Sequence, residues 1–339
     1  MQEFEPPFLL RNAHLMTVAS AFWHRRYAYL NPSKPRLFET EPGTQVRADC
    51  HWQQNPTEHP TLILLHGLEG SSDSGYMLGT ADKAFHAGFN VLRLNQRNCG
   101  STEELTPTLY NSGLSCDARA VVRELIEHDR LPEIFAAGFS MGGNLVLKMA
   151  AEFGDSAPRE LRVVAGVCPS CDLGACADAI SELRNRIYER RFVKLLKARM
   201  LCKASLFPQR YALNGLGKVR TVRQFDDAIT AKFCGFRDAD DYYTKSSALG
   251  LLDQIRVPTL LLVAQDDPMI PFRSFDTAKL SANPCLTLQA PRHGGHCGFI
   301  ARRASGERFW AEARIVEFCR EHSQLASLKR LADVSENGR

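Results

Sequence analysis

The stretch that most constrains this chain is Ile134-Phe135-Ala136-Ala137-Gly138-Phe139-Ser140-Met141-Gly142-Gly143-Asn144, continued by Leu145-Val146-Leu147-Lys148. It opens as an apolar run of strand length and closes with helical spacing. Between them Gly138-Phe139-Ser140-Met141-Gly142 matches G-x-S-x-G. A serine carried on a very sharp strand-to-helix turn has a strained backbone, and its neighbours two residues away must lack side chains to avoid collision. The turn lifts the Ser140 hydroxyl above the sheet edge. It also aims the backbone N–H of Met141 at the point where an oxyanion would form. The five residues alone also fit a Gly-rich turn between buried elements, so the partners of Ser140 must decide.

Around this stretch, strand-like and helix-like segments alternate. Leu37–Thr40 and Gln45–Trp52 read as two short strands joined at Glu41-Pro42-Gly43. Thr61–Leu65 is a continuous apolar run, as expected of a strand covered on both faces, and it leads into His66-Gly67-Leu68-Glu69-Gly70. A strand followed by His-Gly-x is the usual place of a second oxyanion donor, here the N–H of Leu68, with His66 shaping the loop rather than acting as a base. A helix over Tyr76–His86, a strand over Asn90–Leu94, a helix over Cys116–His128 and a strand over Leu161–Cys168 follow. This predicts an α/β fold: a mostly parallel central sheet with helices on both faces.

The alternation breaks at Pro169. Residues 170–245 show no convincing strand, only helical patterns over Ala175–Leu206 and Thr221–Ala231. The first is rich in Arg184, Arg186, Arg190, Arg191, Lys194, Lys197 and Arg199. We expect a solvated basic face there; attraction to an acidic substrate or lipid surface is the sharper alternative. A strand at Pro258–Ala264, another at Cys285–Gln289 and a helix over Arg308–His322 complete the pattern, with a polar, frayed end after about Ser327. The expected organisation is a core of residues 1–169 and 246–339, with an N-terminal arm over 1–30 and a helical lid inserted at 170–245. The arm reads as a helix laid across the body, although its segment Phe22-Trp23-His24-Arg25-Arg26-Tyr27 also suits a membrane surface.

Two loops at strand ends complete a constellation. Asp266-Asp267 follows the next-to-last strand and His293-Gly294-Gly295-His296 the last, so the order is Ser, Asp, His. A neutral serine needs an imidazole to take its proton, and a carboxylate holds that imidazole in one tautomer. Asp267 is preferred to Asp266 for its spacing to Ile270-Pro271. His296 is preferred to His293 because Gly-Gly-His brings the ring over the serine from a bare backbone. A metal site built from His293-x-x-His296 and the two aspartates would leave both the nucleophile turn and the Leu68 loop unexplained.

Composition removes other classes. The chain has 339 residues and a net charge of +4, which gives no argument for nucleic acid. No apolar run reaches the length of a membrane span, and Glu3 and Glu5 precede the first basic residue, the wrong order for a secretory signal; a cytoplasmic location is expected. Eleven scattered cysteines read as reduced thiols, and Cys168-Pro169-Ser170-Cys171 as structural, because neither a redox nor a zinc context accompanies it.

The ordered set of motifs resembles one family, the YheT-like α/β hydrolases, related to animal enzymes that carry such a domain on a membrane anchor. The matching pieces are Asn12-Ala13-His14-Leu15, His66-Gly67-Leu68-Glu69-Gly70-Ser71 and Leu109-Tyr110-Asn111-Ser112-Gly113 ahead of Asp117. Gly138-Phe139-Ser140-Met141-Gly142-Gly143-Asn144, Phe225-Asp226-Asp227, Asp241-Tyr242-Tyr243, Asp266-Asp267-Pro268 and Gly294-Gly295-His296-Cys297-Gly298-Phe299 complete them. The resemblance implies Ser140, Asp267 and His296 as a triad, with the N–H groups of Leu68 and Met141 as oxyanion donors. It implies an α/β-hydrolase fold with a helical lid, needing no cofactor or metal, that acts on small-molecule esters of short- to medium-chain acyl groups. Some relatives cleave phospholipids or pass the acyl group to an alcohol. A non-catalytic binding protein on this fold would be expected to lack a triad member. One departure stands out: relatives tend to have Arg-Gly-Cys where this chain has Arg97-Asn98-Cys99, which is expected to restrict the backbone and reshape a pocket wall.

Overall fold

A computed structural model describes residues 3–275, 280–302 and 307–325. The polar end after Ser327 lies outside them. Eight strands form one sheet: β1 (Lys34–Glu41), β2 (Thr44–His51), β3 (Thr61–Leu65), β4 (Asn90–Leu94), β5 (Ile134–Phe139), β6 (Leu161–Val167), β7 (Thr259–Leu262) and β8 (Leu286–Gln289). Their order is β1-β2-β4-β3-β5-β6-β7-β8. The pairs β1–β2 and β2–β4 are antiparallel and every other pair is parallel. This is the mostly parallel α/β sheet that the alternation predicts.

The central strands are apolar throughout because helices cover both faces. Every residue of β3 and β5 is buried. The connections after β3, β4 and β5 contain α2 (Gly75–His86), α3 (Ser115–Glu127) and α4 (Met141–Phe153). In α3 the expected stripe is the buried one: Ala118, Val121, Val122 and Leu125 face the core. A C-terminal helix over Trp310–Glu321 closes the layer.

The arm is helical, as expected, with α1 over Ala13–Phe22 capped by Asn12, whose side chain accepts from the N–H of Leu15. It is also a structural support, which its sequence did not announce: Met16 is fully buried against the loop of Gly295 and Gly298.

Between β6 and β7 the described chain contains no strand. It passes through α5 (Leu173–Ser181), the long α6 (Arg186–Leu206), a short helix over Val222–Phe225 that continues into a π-turn at Asp226–Ala231, and a helix over Ala239–Ser246. Much of this segment has its own apolar cluster, built on Val193, Leu196, Met200, Val222, Phe225 and Ile229, with Leu109 of the body. Its basic residues do not all face solvent. Arg199 makes a nearly buried bidentate pair with Glu69, which corrects the solvated reading for that residue. The methylene stem of Arg199 is nearly buried while its fork reaches a carboxylate on the body. Lys203, further along, is fully buried and donates to the carbonyls of Glu103 and Thr106.

Candidate active site

Ser140 occupies the turn between β5 and α4 with φ 54° and ψ −118°, a region that costs an ordinary residue energy and is held only where the surroundings impose it. Those surroundings are visible. The N–H of Ser140 donates to the carbonyl of Val167, and its own carbonyl accepts from the N–H groups of Asn144 and Ser170. A side-chain carbon at Gly138 would strike the carbonyl of Gly142, and one at Gly142 the carbonyl of Leu65. Both glycines of the motif are therefore required by close backbone approach, as the spacing predicts.

The loop after β3 comes alongside. A carbon at Gly67 would lie 3.1 Å from the Cβ of Ser140, and the N–H of Gly67 donates to the hydroxyl of Tyr76 at 3.0 Å. His66 is fully buried beneath the loop. Its Nδ1 lies 2.8 Å from the carbonyl of Gly67, and its Nε2 accepts from the N–H of Gln96 at 3.2 Å. Burial lowers its pKa to about 4, so the ring is neutral and shapes the loop. Leu68 follows and faces the same cavity as Ser140 and Met141. Met141 is the first residue of α4, where a helix leaves N–H groups without an acceptor in the preceding turn.

The two adjacent aspartates take different histidines. Nδ1 of His296 lies 2.8 Å from Oδ2 of Asp267, whose Oδ1 accepts from the N–H groups of Met269 and Ile270. Asp266 instead accepts from the N–H of Gly295 at 3.0 Å and lies 3.3 Å from Nδ1 of His293. The structure thus pairs Asp267 with His296 and leaves Asp266 and His293 as a separate couple that braces the same loop. Burial disfavours a charged His296, but the charge and hydrogen bond of Asp267 and the charge of neighbouring Cys297 together outweigh it and raise the pKa to about 9. The backbone of His296 is held by the arm, its N–H donating to Oγ1 of Thr17 at 2.9 Å.

Ser140 and His296 line one cavity of about 100 Å³, whose walls are mostly apolar: Leu68, Met141, Ile180, Leu196, Phe225 and Ile270 among them. Three polar features of this wall were not legible as site residues. Ser170 is buried there with no hydrogen-bond partner for its hydroxyl. Asp226, on the π-turn, is buried and accepts from Thr230 and Tyr243; burial raises its pKa to about 6 against the effect of those two bonds. Arg199 grips Glu69, to which the hydroxyl of Tyr110 donates at 2.5 Å. The only hint of these was that Phe225-Asp226, Tyr110 and Glu69 fall within the motifs that carry the family resemblance.

Cys168 and Cys171 are buried at the end of β6; the sulfur of Cys168 accepts from the N–H of Cys297 and lies 3.7 Å from the carbonyl of Gly295. Among the described residues, the one group with metal-ligand proximity is Cys168, His296 and Cys297, with donor atoms within 4.8 Å. With Nδ1 held by Asp267, a metal there would take the remaining ring nitrogen of His296. The Asn98 departure has a local answer. Asn98 sits at φ 66°, the left-handed region that glycine adopts freely and asparagine tolerates. Its side chain bonds the carbonyl of Thr108, and its carbonyl receives Arg199.

A parallel sheet with a serine on the sharp turn after a central strand, and an Asp–His couple on loops after the last two, is the plan of an α/β hydrolase. The chain belongs to the α/β-hydrolase fold family, in its YheT-like branch: the family model described as alpha/beta hydrolase fold matches residues 60–302. It is 32% identical over 330 residues to YheT of Escherichia coli (strain K12), named as a candidate esterase, covering 96% of this chain and 95% of that one. Phospholipase ABHD3 of Mus musculus is 28% identical over 273 residues, 78% of this chain and 66% of that protein. Among solved structures, the Pyrococcus furiosus esterase Pf2001 superposes with a TM-score of 0.55 at 17% identity, over 86% of this chain and 93% of its own, a likeness of fold. This is a family of esterase- and lipase-type hydrolases. Among the described residues no helix is long and apolar enough to cross a membrane.

Proposed function

We propose that the protein is a serine hydrolase of carboxylic esters of short- to medium-chain acyl groups, working through an acyl-Ser140 intermediate. The observation that carries this is the placement of a strained Ser140 and a carboxylate-held His296 on one small apolar cavity. Substrate seats its acyl chain against Leu196, Phe225 and neighbouring side chains. Ser140 Oγ attacks the carbonyl carbon while His296 Nε2 takes the hydroxyl proton, and Asp267 stabilises the imidazolium. The oxyanion is received by the N–H groups of Leu68 and Met141. Collapse of the tetrahedral intermediate expels the alcohol, which takes the proton from His296. Water then repeats the cycle and releases the acid. An alcohol in place of that water gives ester exchange at the same residues. The helical segment 170–245 acts as a lid, because α5 and α6 supply much of the cavity wall. No cofactor or metal enters this cycle.

The test is hydrolysis of p-nitrophenyl esters from acetate to palmitate by wild type and Ser140→Ala, with a fluorophosphonate label located by mass spectrometry. Turnover lost in Ser140→Ala and label on Ser140 support the reading, and the chain-length optimum reports the cavity's reach. A folded wild type that neither turns over nor takes label refutes it.

A further inference from the structure

Helix α1 is apolar on opposite sides. Its inner side carries buried Met16 and Thr17, the support of His296. Its outer side carries Leu15, Val18 and Phe22 at i, i+3 and i+7, a single stripe, and Phe22 is 81% exposed. Phe8 and Leu9, in the turn before it, are exposed at 76% and 74%. Such a stripe on a helix is ordinarily the buried one. Large apolar side chains grouped in the open mark an interaction surface.

A second outward pair, Leu183 and Ile187, at 82% and 78% exposure, stands at the start of α6. The two groups are neighbours, because Nδ1 of His14 lies 3.1 Å from the hydroxyl of Tyr188 and the two rings stack at 5.8 Å. Beyond Ile187 the same face of α6 turns basic: Arg190, Arg191 and Lys194 follow at i+3, i+4 and i+7. All three are exposed and have no acidic partner among the described residues. Glu189, the acid within this run, is turned inward to Ser181 and Val222. The other acid nearby, Glu182, pairs with Arg184.

We infer that this face of α1 and the start of α6 docks on an anionic lipid surface. Apolar side chains beside a row of unneutralised cations match the acyl boundary and headgroups of such a surface. The placement also serves the site. Ile180, three residues before Leu183, lines the cavity, so docking sets the cavity wall at the surface where acyl esters reside. That last link rests on the ester reading of Ser140; the docking itself does not.

The experiment is flotation of the full chain with vesicles of phosphatidylglycerol and phosphatidylcholine, against vesicles of phosphatidylcholine alone. Wild type is expected on the anionic vesicles, and to leave them as salt is raised. The combined variant Leu15→Ser, Val18→Ser, Phe22→Ser, and separately Arg190→Glu, Arg191→Glu, Lys194→Glu, should each lose about tenfold in binding. Both should keep wild-type turnover of p-nitrophenyl acetate, which is dissolved and needs no surface. Wild type that binds anionic vesicles no better than the two variants overturns the proposal. So does a wild-type dimer by light scattering that the Leu15, Val18, Phe22 variant turns into a monomer, since a second copy then covers the face. Vesicle binding without any ester turnover would retain the docking and reject the ester reading; turnover without binding does the reverse.

Discussion

Arg199 on helix α6 holds Glu69 on the loop after β3 through two parallel hydrogen bonds, Nε to Oε1 at 2.9 Å and Nη2 to Oε2 at 3.0 Å. Glu69 has φ 55° and directly follows Leu68, so helix α6 grips the loop whose N–H we propose as an oxyanion donor. Arg199→Ala leaves a nearly buried carboxylate without its cation and should cost about 3–5 kcal/mol of stability. Arg199→Lys keeps the charge but loses the fork and should fall between. Urea unfolding and kcat/KM for a dissolved ester measure both effects. Unchanged kcat in a folded Arg199→Ala protein would separate this pair from the oxyanion loop.

His296 accepts the Ser140 proton only as a neutral ring. Burial favours that form, yet Asp267, with the charge of neighbouring Cys297, outweighs it and lifts the pKa to about 9. Activity should therefore climb as pH rises through this range, with the acid limb of kcat/KM above the ordinary histidine value. Asp267→Asn removes the charge, moves the limb to lower pH and leaves the tautomer unfixed, at a loss of about 10⁴-fold in kcat. A pH–rate profile of both proteins checks this. A limb in the same place in the two would detach Asp267 from His296.

Thr17 bridges the arm and the site, accepting from His296 N–H and donating to the carbonyl of Ala13 at 2.7 Å. Thr17→Val keeps the shape and removes both bonds. The orphaned N–H should cost about 1–3 kcal/mol. We expect kcat to fall while KM holds, and Thr17→Ser to recover most of the loss. Steady-state kinetics and a thermal melt of the three proteins decide it.

Ser170 keeps a buried hydroxyl without a partner on the cavity wall. Ser170→Ala should leave stability equal or higher by about 1 kcal/mol, while lowering kcat/KM if a substrate oxygen takes that donor. A melt and a kinetic comparison suffice. A variant that is less stable and equally active would show that the hydroxyl serves the fold.

Much of this protein was legible in its residues because the relevant physics is local. The apolar runs Thr61–Leu65 and Ile134–Phe139 are buried strands since nothing polar interrupts them. The glycines of G-x-S-x-G announced a collision that the structure places at Gly142 and Leu65 carbonyls. The chain order of Ser140, the Asp266-Asp267 pair and the two histidines marked the loops that meet at one end of the sheet. Adjacent residues, however, carry nearly equal local signals, so only the packed loops assign Asp267 to His296 and Asp266 to His293. The same limit applied to Arg199, which looks like any basic residue of a helical run until a carboxylate 130 positions away lies opposite. It applied to Thr17 and to the outer stripe of α1 as well. Spacing reveals which residues share a face; which face meets protein, substrate or solvent depends on contacts between segments far apart in the chain, and those exist only once the chain has folded.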